Sequence, residues 1–457
     1  MVRSAGTEWW RPVAVRSAVL SAVASPLTQE SAVPFRALIV FTFILLLSPQ
    51  SFIPGLARVR IALVTGAFAV LAHCWERFSK HRPLMRFTRE IWLATALLGW
   101  AIVTIPVSEW PGGSVQVLLD LYLKALIIFW LLSNTITTIG RLRTVAWGLS
   151  LMAAPLAATG LWHFLLHRGV AGRIIGYDAA LTKNPNDLAL LLNLILPLTA
   201  ALLLLSRRQI VRGFLIGLLL LDASAVVVTF SRAGLLTLAT SLALYLRTLQ
   251  RRREGKWAVL LVALAMAAVP FLPSGYVDRA TTIANIKADP TGSAQVRWRD
   301  MRAALTFVLS HPLASAGLGM NVLALNEIRG STWQPVHNVY LEYAVDLGWL
   351  GLGLFLLLLA SSIRSAARVR DRSADVPALR ELSVLAEAIR IALLAFAVAA
   401  FFYPVAYHFY FYYFAALAVA AGAVYDAEVR AAPKIRAAPH EMTRWRPHLL
   451  RSADGGT

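Results

Sequence analysis

The chain has 457 residues, of which 58% are hydrophobic and 15% are charged. A soluble core cannot bury so large an apolar share, so the composition excludes a soluble protein and indicates a polytopic membrane protein. The net charge of +20 does not indicate nucleic-acid binding, because the lysines and arginines stand in short clusters between long apolar runs.

The N-terminal segment, residues 1–34, is basic and precedes the first long apolar run. Arg3, Arg11 and Arg16 stand before the stretch SAVLSAVAS, whose apolar part is too short and too weak for a signal peptide. We therefore interpret residues 1–34 as a cytoplasmic tail.

Apolar runs long enough to cross about 30 Å of hydrocarbon then recur along the chain. They predict an all-α polytopic membrane protein with about twelve transmembrane helices, nine in residues 35–272 and three in residues 338–424. Residues 273–337 are predicted to form a helical loop domain outside the membrane, and residues 425–457 a basic C-terminal tail. The predicted spans are 35–54, 59–75, 90–107, 115–133, 144–167, 186–206, 212–230, 233–249, 256–272, 338–361, 384–402 and 406–424.

Every second connection between these spans is basic, which predicts the orientation of the protein. The basic connections are 77–89, 141–143, 207–212, 247–256 and 364–372. By the positive-inside rule they lie in the cytoplasm, and both termini lie there too because the predicted number of spans is even.

Three connections on the opposite, outer side carry positive charge against this rule. They are residues 168–185 with Arg173 and Lys183, the turn at Arg232, and the long segment 273–337. Positive charge in such places favours an anionic ligand on the outer face, because one guanidinium group can donate two hydrogen bonds to the oxygens of a phosphate.

The long outer segment contains a predicted amphipathic helix at residues 293–312. Ser293 is its expected cap, and Pro312 follows its end. Its apolar positions, among them Trp298, Met301, Leu305 and Val308, recur at helical spacing. The helix either lies on the bundle as a lid or also lines a lipid or sugar site with Arg297 or Arg299.

His337 stands directly before the tenth predicted span. A neutral imidazole there can accept a proton from a hydroxyl, with Asn338 and Glu342 placed to orient it or the substrate. The alternative is a structural histidine at a helix start. For Arg232 the alternatives are phosphate binding or a structural arginine that reaches the headgroup region or pairs with a carboxylate.

Other polar residues leave similar alternatives open. The stretch NPND, with Asn184 and Asn186, begins a helix whose free N–H groups either bind an anion or are simply capped. Asp120 with Lys124, and Asp222 in the seventh span, are either an ion pathway or internal contacts that hold helices together, and we favour the latter.

The sequence contains no phosphate-binding loop of the Walker type, no HExxH motif and no paired acidic motif on an outer loop. Cys74, the only cysteine, cannot form an intramolecular disulfide or a cysteine metal site. We therefore predict no metal and no cofactor. A reaction on the outer face, where no nucleotide is available, needs a preactivated substrate such as a lipid-linked diphosphate.

Several of these stretches together resemble one family. The run HNVYLEYAVDLGWLGLGLF, which begins at His337, is similar to the signature of the O-antigen ligase and O-antigen polymerase superfamily of membrane glycosyltransferases. The stretches TFSRAG and GRIIG…NPNDLA resemble its other outer-face motifs, and RW…HPL…GLG resembles the segment before the histidine. The resemblance covers roughly residues 171–355.

The resemblance implies an O-antigen ligase that acts in lipopolysaccharide biosynthesis in a bacterial inner membrane, with its active site facing the periplasm. Such an enzyme moves a glycan from undecaprenyl diphosphate to a sugar hydroxyl of lipid A-core, without metal and with inversion. It implies that His337 activates the acceptor and that Arg232 holds the diphosphate. Substrate-binding roles are implied less securely for Arg173, Lys183, Arg297 and Arg299.

The same motifs also occur in O-antigen polymerases and in protein O-oligosaccharyltransferases, so the sequence leaves these two functions open. A lipid or solute transporter is the alternative from another class. Expected partners are the lipid-linked glycan, the acceptor, membrane lipids and other glycan-assembly membrane proteins, and nucleic acid is not expected.

Overall fold

The computed structural model describes residues 31–167, 184–250, 292–311, 315–330 and 333–431. The chain divides into a unit formed by Gln29–Asp426 and a second unit formed by the terminal segments Met1–Thr28 and Ala427–Thr457. In its described part the first unit consists of helices and their connections, and it contains the candidate site.

Thirteen helices of seven residues or more form the described part of the chain, which contains no β-strand. The bounds are α1 Val33–Leu47, α2 Ile61–Ser79, α3 Arg89–Thr104, α4 Pro111–Thr135, α5 Ile139–Leu165, α6 Pro185–Leu205, α7 Gln209–Val228, α8 Arg232–Gln250, α9 Ser293–Ser310, α10 Asn321–Arg329, α11 Val339–Ala374, α12 Arg380–Ala399 and α13 Phe409–Ala431. In α4 the turn Leu118–Tyr122 is π-helical.

The prediction of a polytopic helical membrane protein is confirmed. Nine helices in the described ranges are long and apolar enough to cross a membrane, namely α2 to α7 and α11 to α13. Eleven of the twelve predicted spans coincide with helices, α1 to α8 and α11 to α13, while the span 256–272 lies outside the described residues. The count of twelve and the domain bounds, including the loop domain 273–337, stay predictions.

The first predicted span, 35–54, is too long. Helix α1 ends at Leu47, where Ser48 adopts the left-handed conformation with φ 44°. Pro49 then begins a separate turn, Pro49–Ser51. A proline cannot continue the hydrogen-bond ladder of a preceding helix, so the apolar run is divided there.

Helix α6 lies at the centre of the bundle and packs against α5, α7, α8 and α12. Its approach to α8 is close, because a Cβ atom on Gly234 would lie 2.8 Å from the Cβ of Ala189. The buried Asn193 donates hydrogen bonds to the carbonyls of Ala189, at 2.8 Å, and Gly234, at 3.0 Å. Gly234 of the TFSRAG stretch therefore serves helix packing.

Helix α11 is broken at Gly348, which has φ 66° and ψ −172°. Its first part, 339–347, is a short helix that directly follows His337, and its second part, 349–374, is long enough to cross a bilayer. Only glycine adopts this backbone conformation readily, and the predicted continuous span 338–361 does not include the break.

The break releases carbonyl groups that a continuous helix would satisfy. The carbonyls of Val345 and Asp346 accept hydrogen bonds from the N–H groups of Ala316, at 2.9 Å, and Gly317, at 3.0 Å. Trp100 Nε1 donates to the carbonyl of Leu347 at 2.8 Å. Because unpaired backbone groups are costly in a membrane protein, these bonds attach the segment before α10 to the break.

The other end of α11 is held by a buried carboxylate. Glu387 accepts hydrogen bonds from Arg370, at 3.0 Å, from Arg390, at 2.7 and 2.8 Å, and from Thr248, at 2.7 Å. These contacts join α8, α11 and α12 at the end predicted to face the cytoplasm. A buried carboxylate needs such pairing to offset its desolvation.

Asp120 and Asp222 are predicted to make internal contacts that hold helices together, and the part of the chain that the structure describes shows neither contact. Asp120 and Lys124 pair at 3.4 Å, but their side chains are 68% and 58% exposed, so the expectation of an internal pair is wrong. Asp222 is fully buried in α7, and among the described residues neither of its carboxylate oxygens has a hydrogen-bond partner. Its predicted contact is therefore not confirmed.

Candidate active site around His337

His337 is half-buried in the segment that leads into α11. Its Nδ1 atom lies 3.1 Å from the carbonyl oxygen of Pro335. A carbonyl oxygen can only accept a hydrogen bond, so Nδ1 carries the proton in this arrangement. The lone pair of a neutral imidazole then resides on Nε2, which is the atom able to take a proton from a substrate.

The surroundings of His337 favour its neutral form. Burial above all, together with the positive charge of Arg297, lowers the pKa of His337 to about 4, while the negative charge of Asp300 acts in the opposite direction. The imidazolium is disfavoured because it would be desolvated beside another cation. At neutral pH the imidazole is therefore uncharged and able to accept a proton.

This electrostatic coupling predicts a shift in the pH profile. If neutral His337 is required, kcat/KM for the donor should fall as the pH drops through the pKa of the free enzyme, near 4. Arg297→Gln removes a charge that disfavours the imidazolium, so the pKa should rise and activity should be lost at a higher pH. The measurement is kcat/KM between pH 3.5 and 8. Arg207→Gln, an exposed arginine between α6 and α7, should leave the midpoint unchanged.

Asn338 and Glu342 make bonds to the backbone. Asn338 is the N-cap of α11, and its side chain accepts hydrogen bonds from the N–H groups of Tyr340, at 3.0 Å, and Leu341, at 3.1 Å. Glu342 is buried and accepts a hydrogen bond from the N–H of Ala406 at 3.1 Å. In the described part of the chain neither side chain bonds to the imidazole. Their predicted role in substrate binding stays a prediction.

A buried network next to His337 was not predicted. Asp346 accepts hydrogen bonds from the backbone N–H of Asn321, at 2.6 Å, from Asn321 Nδ2, at 3.1 Å, and from the hydroxyl of Tyr407, at 3.0 Å. Asn321 in turn accepts a bond from the N–H of Val336 at 3.2 Å. The network therefore fixes the backbone directly before the histidine. The DLG stretch was visible in the sequence, but nothing there showed which groups its aspartate would meet.

The stretches NPND and TFSRAG meet at the start of α6 and α8. Asn184 caps α6 by accepting a bond from the N–H of Asn186 at 2.9 Å. Ser231 caps α8 by accepting from the N–H of Gly234 at 3.1 Å, and its hydroxyl donates to Asn186 Oδ1 at 2.9 Å. Arg232, the first residue of α8, is half-buried beside this contact.

The connection between α12 and α13 contacts both halves of the candidate site. The carbonyl of Ala400 accepts a bond from the N–H of Val339 at 2.8 Å, and Tyr407 joins the buried network described above. The Tyr403 hydroxyl lies 3.5 Å from the hydroxyl of Ser231. The arginine turn and the histidine segment therefore lie at the same end of the bundle.

Helix α9 is confirmed, at Ser293–Ser310, but its cap and its buried face differ from the prediction. The N-cap is Gly292, with φ 65°, and not Ser293. Trp298 and Leu305 are 53% and 48% exposed. Val308 is buried as predicted, and it shares the face packed on α10 and α11 with Asp300, Ala303, Ala304 and Phe307. The small alanines permit this close packing.

Asp300 is buried in this face because it pairs with a buried arginine of α10. Arg329 Nη1 lies 3.2 Å from Asp300 Oδ1, and Arg329 Nη2 donates to the carbonyl of Gln334. The pair thus connects α9, α10 and the segment before His337. Arg297 is half-buried and Arg299 is exposed on the same helix. Arg173 and Lys183, by contrast, lie outside the described residues.

A family model described as O-antigen ligase matches residues 217–356. The matched segment contains Arg232, helix α9, Asn321 and Asp346 of the buried network, and the break at Gly348. Residues 217–356, less than half of the chain, are therefore similar to the O-antigen ligase family. A comparison with curated proteins finds no match.

The match to the O-antigen ligase family indicates a coarse function. Its members are glycosyltransferase-like enzymes, and the family implies a lipid-linked glycan substrate in a membrane. The NPND stretch precedes the matched segment. Within the described residues, no three His, Cys, Asp or Glu side chains cluster as metal ligands would.

Proposed function

We propose that this protein is an O-antigen ligase. It transfers O-antigen glycan from undecaprenyl diphosphate to a sugar hydroxyl of lipid A-core on the periplasmic face of a bacterial inner membrane. The observation that carries the proposal is His337, a neutral imidazole whose Nδ1–H donates to the carbonyl oxygen of Pro335, inside the segment that matches the ligase family.

In the proposed reaction, Nε2 of His337 removes the proton of the acceptor hydroxyl. The acceptor oxygen forms a bond to the anomeric carbon while the bond from that carbon to the diphosphate oxygen breaks, and the diphosphate leaves with the electron pair. The proton then passes from the imidazolium to solvent or to the departing diphosphate. Attack from the side opposite the leaving group inverts the anomeric configuration, so a product of retained configuration would contradict the proposal.

Arg232 is proposed to stabilise the leaving group. Negative charge develops on the phosphate oxygens in the transition state, and a pre-positioned guanidinium beside hydrocarbon stabilises that charge far more than water would. Asn186 accepts a hydrogen bond from Ser231, the residue before Arg232, and Asn184 caps the start of α6 beside it. We propose that these two asparagines complete the binding site for the diphosphate. The donor brings its own leaving group, so the reaction needs neither nucleotide nor metal.

Transfer by the purified full-length protein tests the proposal. Undecaprenyl-diphosphate-linked glycan and lipid A-core are mixed with protein in detergent, with a chelator and without nucleotide. We expect the lipid acceptor to gain glycan, seen as a ladder of slower-migrating products. A glycan that only lengthens on its lipid carrier would identify a polymerase. Vesicle transport with no covalent product from any acceptor would identify a transporter instead.

A further inference from the structure

A second polar surface lies beside the candidate active site, between helices α9 and α10. It is a pocket of about 760 Å³. Its polar and aromatic lining consists of Gln295, Trp298, Arg299, Arg302, Thr306 and Arg329. The proposed chemistry at His337 and Arg232 does not use this pocket.

The pocket is strongly cationic. The charge of Arg329 is matched by Asp300 at 3.2 Å. Arg299 and Arg302, in contrast, are exposed and have no carboxylate partner among the residues that the structure describes. Residues three apart on a helix share a face, so both guanidinium groups can contact one anion. Two unmatched guanidinium groups on one wall favour a phosphomonoester, whose oxygens accept hydrogen bonds from both.

The size and composition of the pocket point to a phosphorylated sugar and not to phosphate alone. Pockets of about 300–1,000 Å³ hold organic ligands, whereas a single phosphate would leave most of this volume unfilled. The indole of Trp298, 53% exposed at the pocket, offers an apolar face to the C–H groups of a sugar ring. Gln295 and Thr306 add groups that can bond to sugar hydroxyls.

The surface next to the pocket favours a ligand anchored in the membrane. Leu305 and Leu309, on the same helix, are 48% and 72% exposed. A helix that carries arginine, tryptophan and exposed leucine side chains is typical of the membrane interface. A glycolipid therefore fits this place better than a soluble sugar phosphate.

The pocket is also coupled to His337 through Arg329. This residue lines the pocket and donates to the carbonyl of Gln334, three positions before the histidine, and its charge contributes to the pKa of His337. We propose that the pocket binds the phosphorylated saccharide headgroup of the acceptor glycolipid and thereby presents its hydroxyl to His337. This inference rests on the proposed ligase function.

Binding and kinetics of the double variant Arg299→Gln/Arg302→Gln test the inference. Full-length protein in nanodiscs of neutral phospholipid is titrated with lipid A-core, either intact or stripped of phosphate by phosphatase. We expect Kd and KM for the intact acceptor to rise by about 10- to 100-fold, because two charge-assisted contacts are lost. The kcat at saturating acceptor and KM for the donor should stay at wild-type values, as should Kd for the dephosphorylated acceptor.

The matched control is Arg207→Gln/Arg208→Gln, which removes two exposed arginines between α6 and α7. It should bind the acceptor as wild type does. An unchanged Kd in the first double variant, or a rise in KM for the donor instead, would overturn the inference. The inference would also be overturned if Arg299→Gln/Arg302→Gln lost as much affinity for inorganic phosphate and for anionic vesicles as for the acceptor. Such a result would identify a general contact with anions.

The measurement of acceptor affinity separates a failure of this inference from a failure of the proposed function. If the wild-type protein transfers no glycan but its acceptor affinity still depends on the two arginines and on the acceptor phosphate, the pocket stands and the ligase proposal fails. If transfer occurs and acceptor affinity is independent of both, the ligase proposal stands and the pocket assignment fails.

Discussion

His337→Ala is expected to lower kcat for glycan transfer by about 10²–10⁴-fold, the range over which a general base contributes to a reaction. The substitution removes Nε2, the atom that takes the acceptor proton, while the cap at Asn338 and the buried network around Asp346 remain. His337→Gln should be as inactive, because an amide can hold the hydroxyl but cannot accept its proton. The measurement is the initial rate of labelled glycan transfer by purified protein, with the melting temperature as a check of folding.

His311→Ala is the control for this prediction. His311 is exposed at the end of α9, stacks on Phe307 at 4.7 Å, and has no contact with the buried network. It should transfer glycan at the wild-type rate. A His337→Ala protein that folds normally and retains more than a tenth of that rate would show that the imidazole is not the base.

The low pKa of His337 also bears on the order of events. An imidazole with a pKa of about 4 is a weak base in the free enzyme, and part of that weakness comes from the charge of Arg297. A diphosphate bound near these cations would offset their charge and raise the basicity of the imidazole. The proposed base therefore becomes stronger when the donor is bound.

The membrane class and most of the helices could be predicted from the sequence, because hydrocarbon thickness dictates span length and apolar runs report it directly. The ends of the helices are harder to predict from those runs. Helix α1 ends at Leu47, before residue 54 where the predicted span ends, because Ser48 is left-handed and Pro49 begins a separate turn. The break at Gly348 had no signature in hydropathy, because apolar residues continue on both sides of it.

The candidate site was predicted in part. His337 and Arg232 were visible because a histidine at a helix start and an arginine between apolar spans are unusual in a membrane protein. Asn338 is predicted to orient His337 or the substrate, and its side chain also caps a helix, a role that its position before a helix indicates. Asp346 and Asn321 were overlooked because their partnership joins residues 25 positions apart, and only the fold brings them together.

Asp346→Ala is expected to reduce transfer by about 100-fold or more, although this residue does not touch the proposed reacting atoms. It removes the acceptor for three bonds, from the backbone and side chain of Asn321 and from Tyr407. Buried donors left without partners cost about 1–3 kcal/mol each, so the melting temperature should fall as well. Since Asn321 fixes the N–H of Val336, the segment that carries the histidine would shift, and an error of about 1 Å in a catalytic group costs about 10²-fold in rate.

Exchanging the carboxylate of Asp346 with the amide of Asn321 distinguishes a positioning role of Asp346 from a general loss of stability. Asp346→Asn alone should impair transfer, because its new amide donor faces the amide donor of Asn321. Adding Asn321→Asp restores an acceptor for that donor and keeps an oxygen for the N–H of Val336, so part of the rate should return. Asp371→Asn, an exposed aspartate at the far end of α11, should have no effect. If the double variant regains its melting temperature but none of its rate, Asp346 acts in the reaction itself and not through the position of His337.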